Sequence, residues 1–226
     1  MCISLIRATA SVGLIWTLLI SQAWSSDYEG PLFDGHIHYS HDAWKSTPPD
    51  QAVDTLKKAG LEGAFVSSSS DEGTQKLYGV DSKLVVPVLR PYRARGELGT
   101  WIVDETVLDM LRERLETYRY AGIGEFHAFG DDLRLPVLAG VIDLARENGI
   151  FLHAHTDALG IDNIFARNPD AVVLWAHAGF ENLPTVLDRM EKYPMLKADL
   201  SFRFEHQAGG KVTDCLLYTS PSPRDA

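Results

Sequence analysis

The hexapeptide Phe33-Asp34-Gly35-His36-Ile37-His38 places two histidines at i and i+2, where an apolar run ends. Side chains two apart on a strand point to the same side, so both imidazoles can reach one metal ion. On its own the pair fits equally well two hydrogen-bonded histidines at a strand end. The surrounding pattern decides between the two readings. Short β-branched or apolar runs alternate with amphipathic stretches at roughly 25- to 35-residue intervals, the rhythm of βαβ units. Strands are expected over 31–36, 63–67, 84–89, 121–125, 150–155, 172–177 and 196–200, and helices over 50–59, 104–118, 136–148, 158–167 and 182–192, with a weaker helical pattern over 71–78. Gly60 and Gly149 stand just past two of these helices, where left-handed backbone ends a helix.

Seven parallel strands fit either an open sheet or an incomplete (β/α)8 barrel of the TIM type. The histidines favour the barrel. Of eight in the chain, His36, His38, His127, His153, His155 and His177 fall at or just past strand carboxyl ends, as does Glu125. A barrel brings such ends to one point, whereas an open sheet spreads them along a line. Imidazoles and a carboxylate converging on one point need a cation to offset their desolvation. No charge block, repeat or linker divides the chain, so residues 26–214 read as one domain lacking an eighth strand.

Phe33-Asp-Gly-His-Ile-His38, Gly122-Ile-Gly-Glu125-Phe, Leu152-His-Ala-His155-Thr-Asp157, Leu174-Trp-Ala-His177-Ala-Gly179 and Ala198-Asp-Leu-Ser-Phe-Arg203 together resemble the amidohydrolase-related metal-dependent hydrolases. The resemblance covers about residues 31 to 214. It implies that His36 and His38 bind one metal, that Glu125 bridges two, and that His155 and His177 bind the second, with Glu125 and His177 serving the catalytic centre. The family's eighth-strand aspartate, which binds metal and acts as base, has no counterpart in this sequence, so the intact protein is expected to be a metal-dependent hydrolase and this chain to be inactive. His155 is preferred to His153 because it lies nearer the strand's carboxyl end. His153 then falls one layer deeper, facing the interior or backing a ligand, and is counted with the substrate-side groups. His127, two residues past Glu125, is read as substrate-facing. Arg90 and Arg203 each follow an apolar strand, and a guanidinium at the barrel mouth suits a carboxylate. Asp199 is expected to point away from the histidines into a packing or hydrogen-bonding role.

The expected cofactor is one or two divalent ions, Zn2+ first, with Mn2+ or Fe2+ as alternatives. The expected activity is hydrolysis of a C–O or C–N bond in a small lactone, ester or amide, with a carboxylate-bearing substrate among those expected. Nonoxidative decarboxylation, phosphoester cleavage of the TatD type and a non-catalytic metal-binding module remain as alternatives, because one barrel hosts many chemistries. A net charge of −10 argues against nucleic acid as the partner. Both cysteines, Cys2 and Cys215, fall outside residues 26–214, which excludes thiolate ligands and a disulfide framework from that domain. A homo-oligomer stays open.

Arg7 followed by the apolar run 8–20 and a polar stretch has the layout of a secretory signal peptide over residues 1–25, shorter than a membrane span. Export to the periplasm or medium, without a stable membrane anchor, is the expectation. Residues 215–226, with two prolines and a serine cluster, read as a non-native tail. Mass spectrometry of exported protein is expected to find the mature terminus within a residue or two of Ser26. An intact Met1 on exported protein would refute this.

Overall fold

The computed structural model describes residues 30–94, 96–203, 207–208 and 211–212. The expected leader, the tail and His206 lie outside them. Seven strands form one all-parallel sheet in chain order: β1 (Leu32–Ile37), β2 (Leu61–Val66), β3 (Val85–Leu89), β4 (Gly122–His127), β5 (Phe151–His155), β6 (Val173–Trp175) and β7 (Leu196–Ala198). Between them run α1 (His41–Trp44), α2 (Pro49–Lys58), α3 (Glu72–Val80), α4 (Thr106–Thr117), α5 (Pro136–Asn148), α6 (Ala158–Arg167) and α7 (Leu183–Lys192). A short antiparallel pair, β8 (Gln207–Ala208) and β9 (Lys211–Val212), stands apart from this sheet. Among the described residues no helix is long and apolar enough to cross a membrane.

The sheet is curled into an incomplete (β/α) barrel, as the sequence leads one to expect. Six strand spacings of ~4.8 Å would put β1 and β7 roughly 29 Å apart in a flat sheet. Instead His36 Nδ1 on β1 lies 3.1 Å from Asp199 Oδ2, the residue after β7. The larger core packs Ile123, Phe126, Leu152 and Trp175 of β4 to β6 against Leu111, Leu138, Ile142 and Ile161 of α4 to α6. A smaller one joins Val53 and Leu77 of α2 and α3 to Ala64, Val66 and Val85 of β2 and β3.

Local chemistry sets the helix ends. Pro136 opens α5, where its missing N–H costs nothing, and Gly149 closes it at φ +64°. Asp157 caps α6 by accepting from Gly160 N–H, and Asn182 caps α7 by accepting from Thr185 N–H. Strand ends departed further from expectation. The β6 ladder stops at Trp175, and His177, Ala178 and Gly179 follow with φ of 55°, 50° and 63°. The β7 ladder stops at Ala198, so Asp199 lies beyond the strand and its direction is not set by the pleat.

Trp175 is fully buried and donates its indole N–H to Thr156 O at 2.7 Å. Trp175→Ala is expected to destabilise the domain by ~3–5 kcal/mol in urea titrations, the usual cost of a buried aromatic truncation.

Candidate metal centre at the strand carboxyl ends

Glu125 ends the Gly122-Ile-Gly-Glu segment of β4, and its carboxylate is almost wholly buried. Gly124 permits this placement: its φ is +139°, and a Cβ there would sit 2.1 Å from His153 O. Around Oε2 stand His38 Nε2 at 2.9 Å, His36 Nε2 at 3.5 Å and Arg90 Nη2 at 2.7 Å. Around Oε1 stand His155 Nδ1 at 2.8 Å, His177 Nε2 at 3.3 Å and His127 Nε2 at 3.7 Å. One carboxylate therefore faces two groups of imidazoles, one on each oxygen.

The second ring nitrogen of each histidine fixes its tautomer. His38 Nδ1 lies 2.7 Å from Ser67 O, and His177 Nδ1 lies 2.8 Å from Ser201 O. A carbonyl can only accept, so both Nδ1 atoms carry the proton and both Nε2 lone pairs face Glu125. His36 Nδ1 faces Asp199 Oδ2 in the same way, leaving its Nε2 lone pair 3.0 Å from that of His38. Two lone pairs and a carboxylate oxygen within 3.5 Å of one another repel unless a cation lies among them. Donor atoms on a tetrahedral zinc with ~2.1 Å bonds sit roughly 3.4 Å apart, close to the spacings here. The donor set fits a divalent ion.

Protons respond to the same field. Burial works against a charge on His36, but hydrogen bonds to Asp199 and Glu125 outweigh it and raise its pKa to about 9, so that without an ion a proton on Nε2 meets the same need for positive charge. Burial prevails on His38 and His153, whose pKa values are lowered, and brings His127 down to about 4. Burial pushes the Glu125 carboxyl up, yet the imidazoles of His155, His177, His36 and His38 set against it hold it far below the usual carboxylate range. Asp199 is held low in the same manner, with hydrogen bonds from His153, His36 and Ser201 overcoming its burial.

All five residues expected as ligands, His36, His38, Glu125, His155 and His177, meet at this centre. His127 and His155 face each other in register across β4 and β5, with His127 close enough to Glu125 and His155 to share an ion with them. The expected division between ligand and substrate-facing group is thus not visible in its placement. His153 lies deeper, 1% exposed, with Nε2 3.2 Å from Asp199 Oδ2. Asp199 reverses its expectation: it turns toward the histidines, because it lies past the end of β7, where strand alternation no longer governs it.

Both arginines, expected at the mouth to meet a substrate anion, make hydrogen bonds within the protein. Arg90 borders the cavity, but its Nε donates to Glu125 O at 3.0 Å and its Nη2 to Glu125 Oε2, which makes it a support for the carboxylate. Arg203 is buried and donates to His177 O at 3.0 Å and Glu181 O at 2.9 Å, bracing the loop after β6 away from the cavity lining. Sequence reasoning overlooked Ser67, Tyr92 and Ser201. Ser201 stands two residues after Asp199, a spacing that could have paired them. Tyr92 offered no such signal, since its hydroxyl meets His127 only through the fold.

The metal-side atoms open into a cavity of about 580 Å3 bordered by His41, Asp42, Tyr92, Leu98, His127 and Phe202, a size suited to a small molecule. Fold and site together define an incomplete (β/α) barrel with a histidine and carboxylate cluster at its strand carboxyl ends. In particular, the chain is similar to a probable 2-pyrone-4,6-dicarboxylic acid hydrolase from Acinetobacter baumannii, crystallised with citric acid bound, with TM-score 0.52 and 8% identity over 76% of this chain and 70% of that one. It is also similar to an organophosphorus hydrolase from Deinococcus radiodurans, with TM-score 0.52 and 11% identity over 84% of this chain and 69% of that one. At these identities the likeness establishes the fold. No protein-family profile and no curated protein matches the sequence.

Gly124→Ala is expected to cost at least ~2 kcal/mol in urea titrations, because a side chain is strained at the φ of +139° that Gly124 adopts and its methyl group would collide with His153 O. An unchanged denaturation midpoint would contradict the close approach of β4 to β5.

Proposed function

We propose that the chain is a metal-dependent hydrolase acting on a C–O or C–N bond of a small lactone, ester or amide, and that the protein is exported. The observation carrying this reading is the 3.0 Å approach of the His36 and His38 Nε2 atoms beside Glu125, an arrangement of acceptors that calls for a cation. A divalent ion bound there supplies Lewis acidity and an activated water at neutral pH. Glu125 offers one oxygen to each group of histidines, which suits two ions, with zinc the first choice for imidazole donors.

The chain's own residues provide the rest. Arg90 holds the Glu125 carboxylate in place, and Ser67 O and Ser201 O orient His38 and His177. The buried strand ends exclude water from the inner side of the centre, while the cavity admits substrate from the other.

Elemental analysis of purified protein is expected to find one or two first-row divalent ions, and any turnover of a panel of lactones, esters and amides is expected to be abolished by a chelator. A His36→Ala, His38→Ala double variant is expected to bind metal at least ~10-fold more weakly. Full metal content in that variant would sink the assignment, and chelator-resistant turnover would remove the metal from the reaction.

A further inference from the structure

The carboxylate of Asp199 receives hydrogen bonds from groups attached to four different strand ends. His36 Nδ1 of β1 and His153 Nε2 of β5 approach Oδ2 at 3.1 and 3.2 Å. Oδ1 receives the backbone N–H of His177 beyond β6 at 3.1 Å, and the N–H and hydroxyl of Ser201 beyond β7 at 3.0 and 2.6 Å. The His36 and His153 rings also meet edge to face, with centroids 4.4 Å apart. We infer that Asp199 is the positioning residue of the metal centre, holding His36 with its proton on Nδ1 so that Nε2 presents a lone pair beside Glu125.

The alternative role for a carboxylate here is direct ligation, since Asp199, His36 and His153 are close enough to share an ion. Lone-pair accounting argues against it. An ionised carboxylate has about four acceptor sites, and the five donors around Asp199 already fill them. His36 Nδ1 would also have to give up its proton, leaving an anionic ring between two ions. A carboxylate that orients a ligating imidazole from behind is the usual way proteins fix tautomer and ring direction at a metal. This inference rests on the proposed metal centre, but it concerns a residue outside the expected ligand set and a face of His36 turned away from the cavity.

Asp199→Asn is the discriminating substitution. The amide must present its NH2 either to the two imidazole N–H groups or to the N–H and hydroxyl donors on the other side, so one set of donors loses its acceptor whichever way it turns. Zinc affinity of the full chain is measured by chelator competition with zinc alone as the probe, and the His36 tautomer by long-range 1H–15N spectra of the zinc-loaded protein.

In the wild-type chain the proton is expected on His36 Nδ1, with Nε2 unprotonated. Asp199→Asn is expected to weaken zinc binding at least ~10-fold and to disturb that tautomer while the fold is retained. Asp199→Glu, which keeps the carboxylate, is expected to recover part of the affinity, a rescue that mere packing would not give. Wild-type zinc affinity in Asp199→Asn, or a wild-type His36 carrying its proton on Nε2, would overturn the inference. The wild-type spectrum decides the matter even if the variant fails to fold. Failure of the wild-type chain to bind zinc would instead overturn the metal reading itself, and this inference with it.

Discussion

A single buried carboxylate, that of Glu125, organises the centre of this molecule. Removing a carboxylate from water is costly unless cations or donors surround it, and residues at the ends of β1, β3, β5 and β6 stand around it. Arg90 after β3 donates to it, His36 and His38 from β1 approach one oxygen, and His155 and His177 approach the other. The backbone yields to the same requirement. Gly124 adopts a φ of +139° to let Glu125 in, and His177 to Gly179 turn left-handed to bring an imidazole back toward it. Positive φ at His177 and Ala178 is strained for residues with a side chain, and such strain concentrates where function demands it.

Behind that centre lies a layer that holds its parts still. Ser67 O, Ser201 O and Asp199 each take the outward proton of one histidine, so three imidazoles present the same nitrogen inward. Arg203 braces the left-handed loop after β6 through the His177 and Glu181 carbonyls. Both arginines thus support the centre's own parts, and the cavity's polar lining comes from Arg90, Asp42 and Glu125 as well as histidines, Tyr92 and serines.

Much of this was legible along the chain. Alternating apolar runs and amphipathic stretches marked all seven strands and the long helices, with α5 and α6 bounded as the sequence indicates, because proline, glycine and a capping aspartate act through bonds within a few residues. The convergence of His36, His38, Glu125, His155 and His177 was also legible, since the i, i+2 spacing and the strand-end positions follow from the period of a strand. These are local rules, and local rules survive in sequence.

Only the tertiary structure decided the directions of side chains that lie past strand ends. Asp199 stands one residue beyond β7, where the pleat no longer assigns a face, and it turned toward β1 across 163 positions of sequence. Arg90 and Arg203 occupy mouth positions on paper, yet each found nearer acceptors in Glu125, His177 and Glu181 once the sheet curled. Tyr92 reached His127 for the same reason. The sequence by itself determined which elements form and which residue types gather at their ends. The closure of the barrel, which brings strands distant in sequence within hydrogen-bonding reach, determined which of those residues face an ion, which hold another residue in place and which do neither.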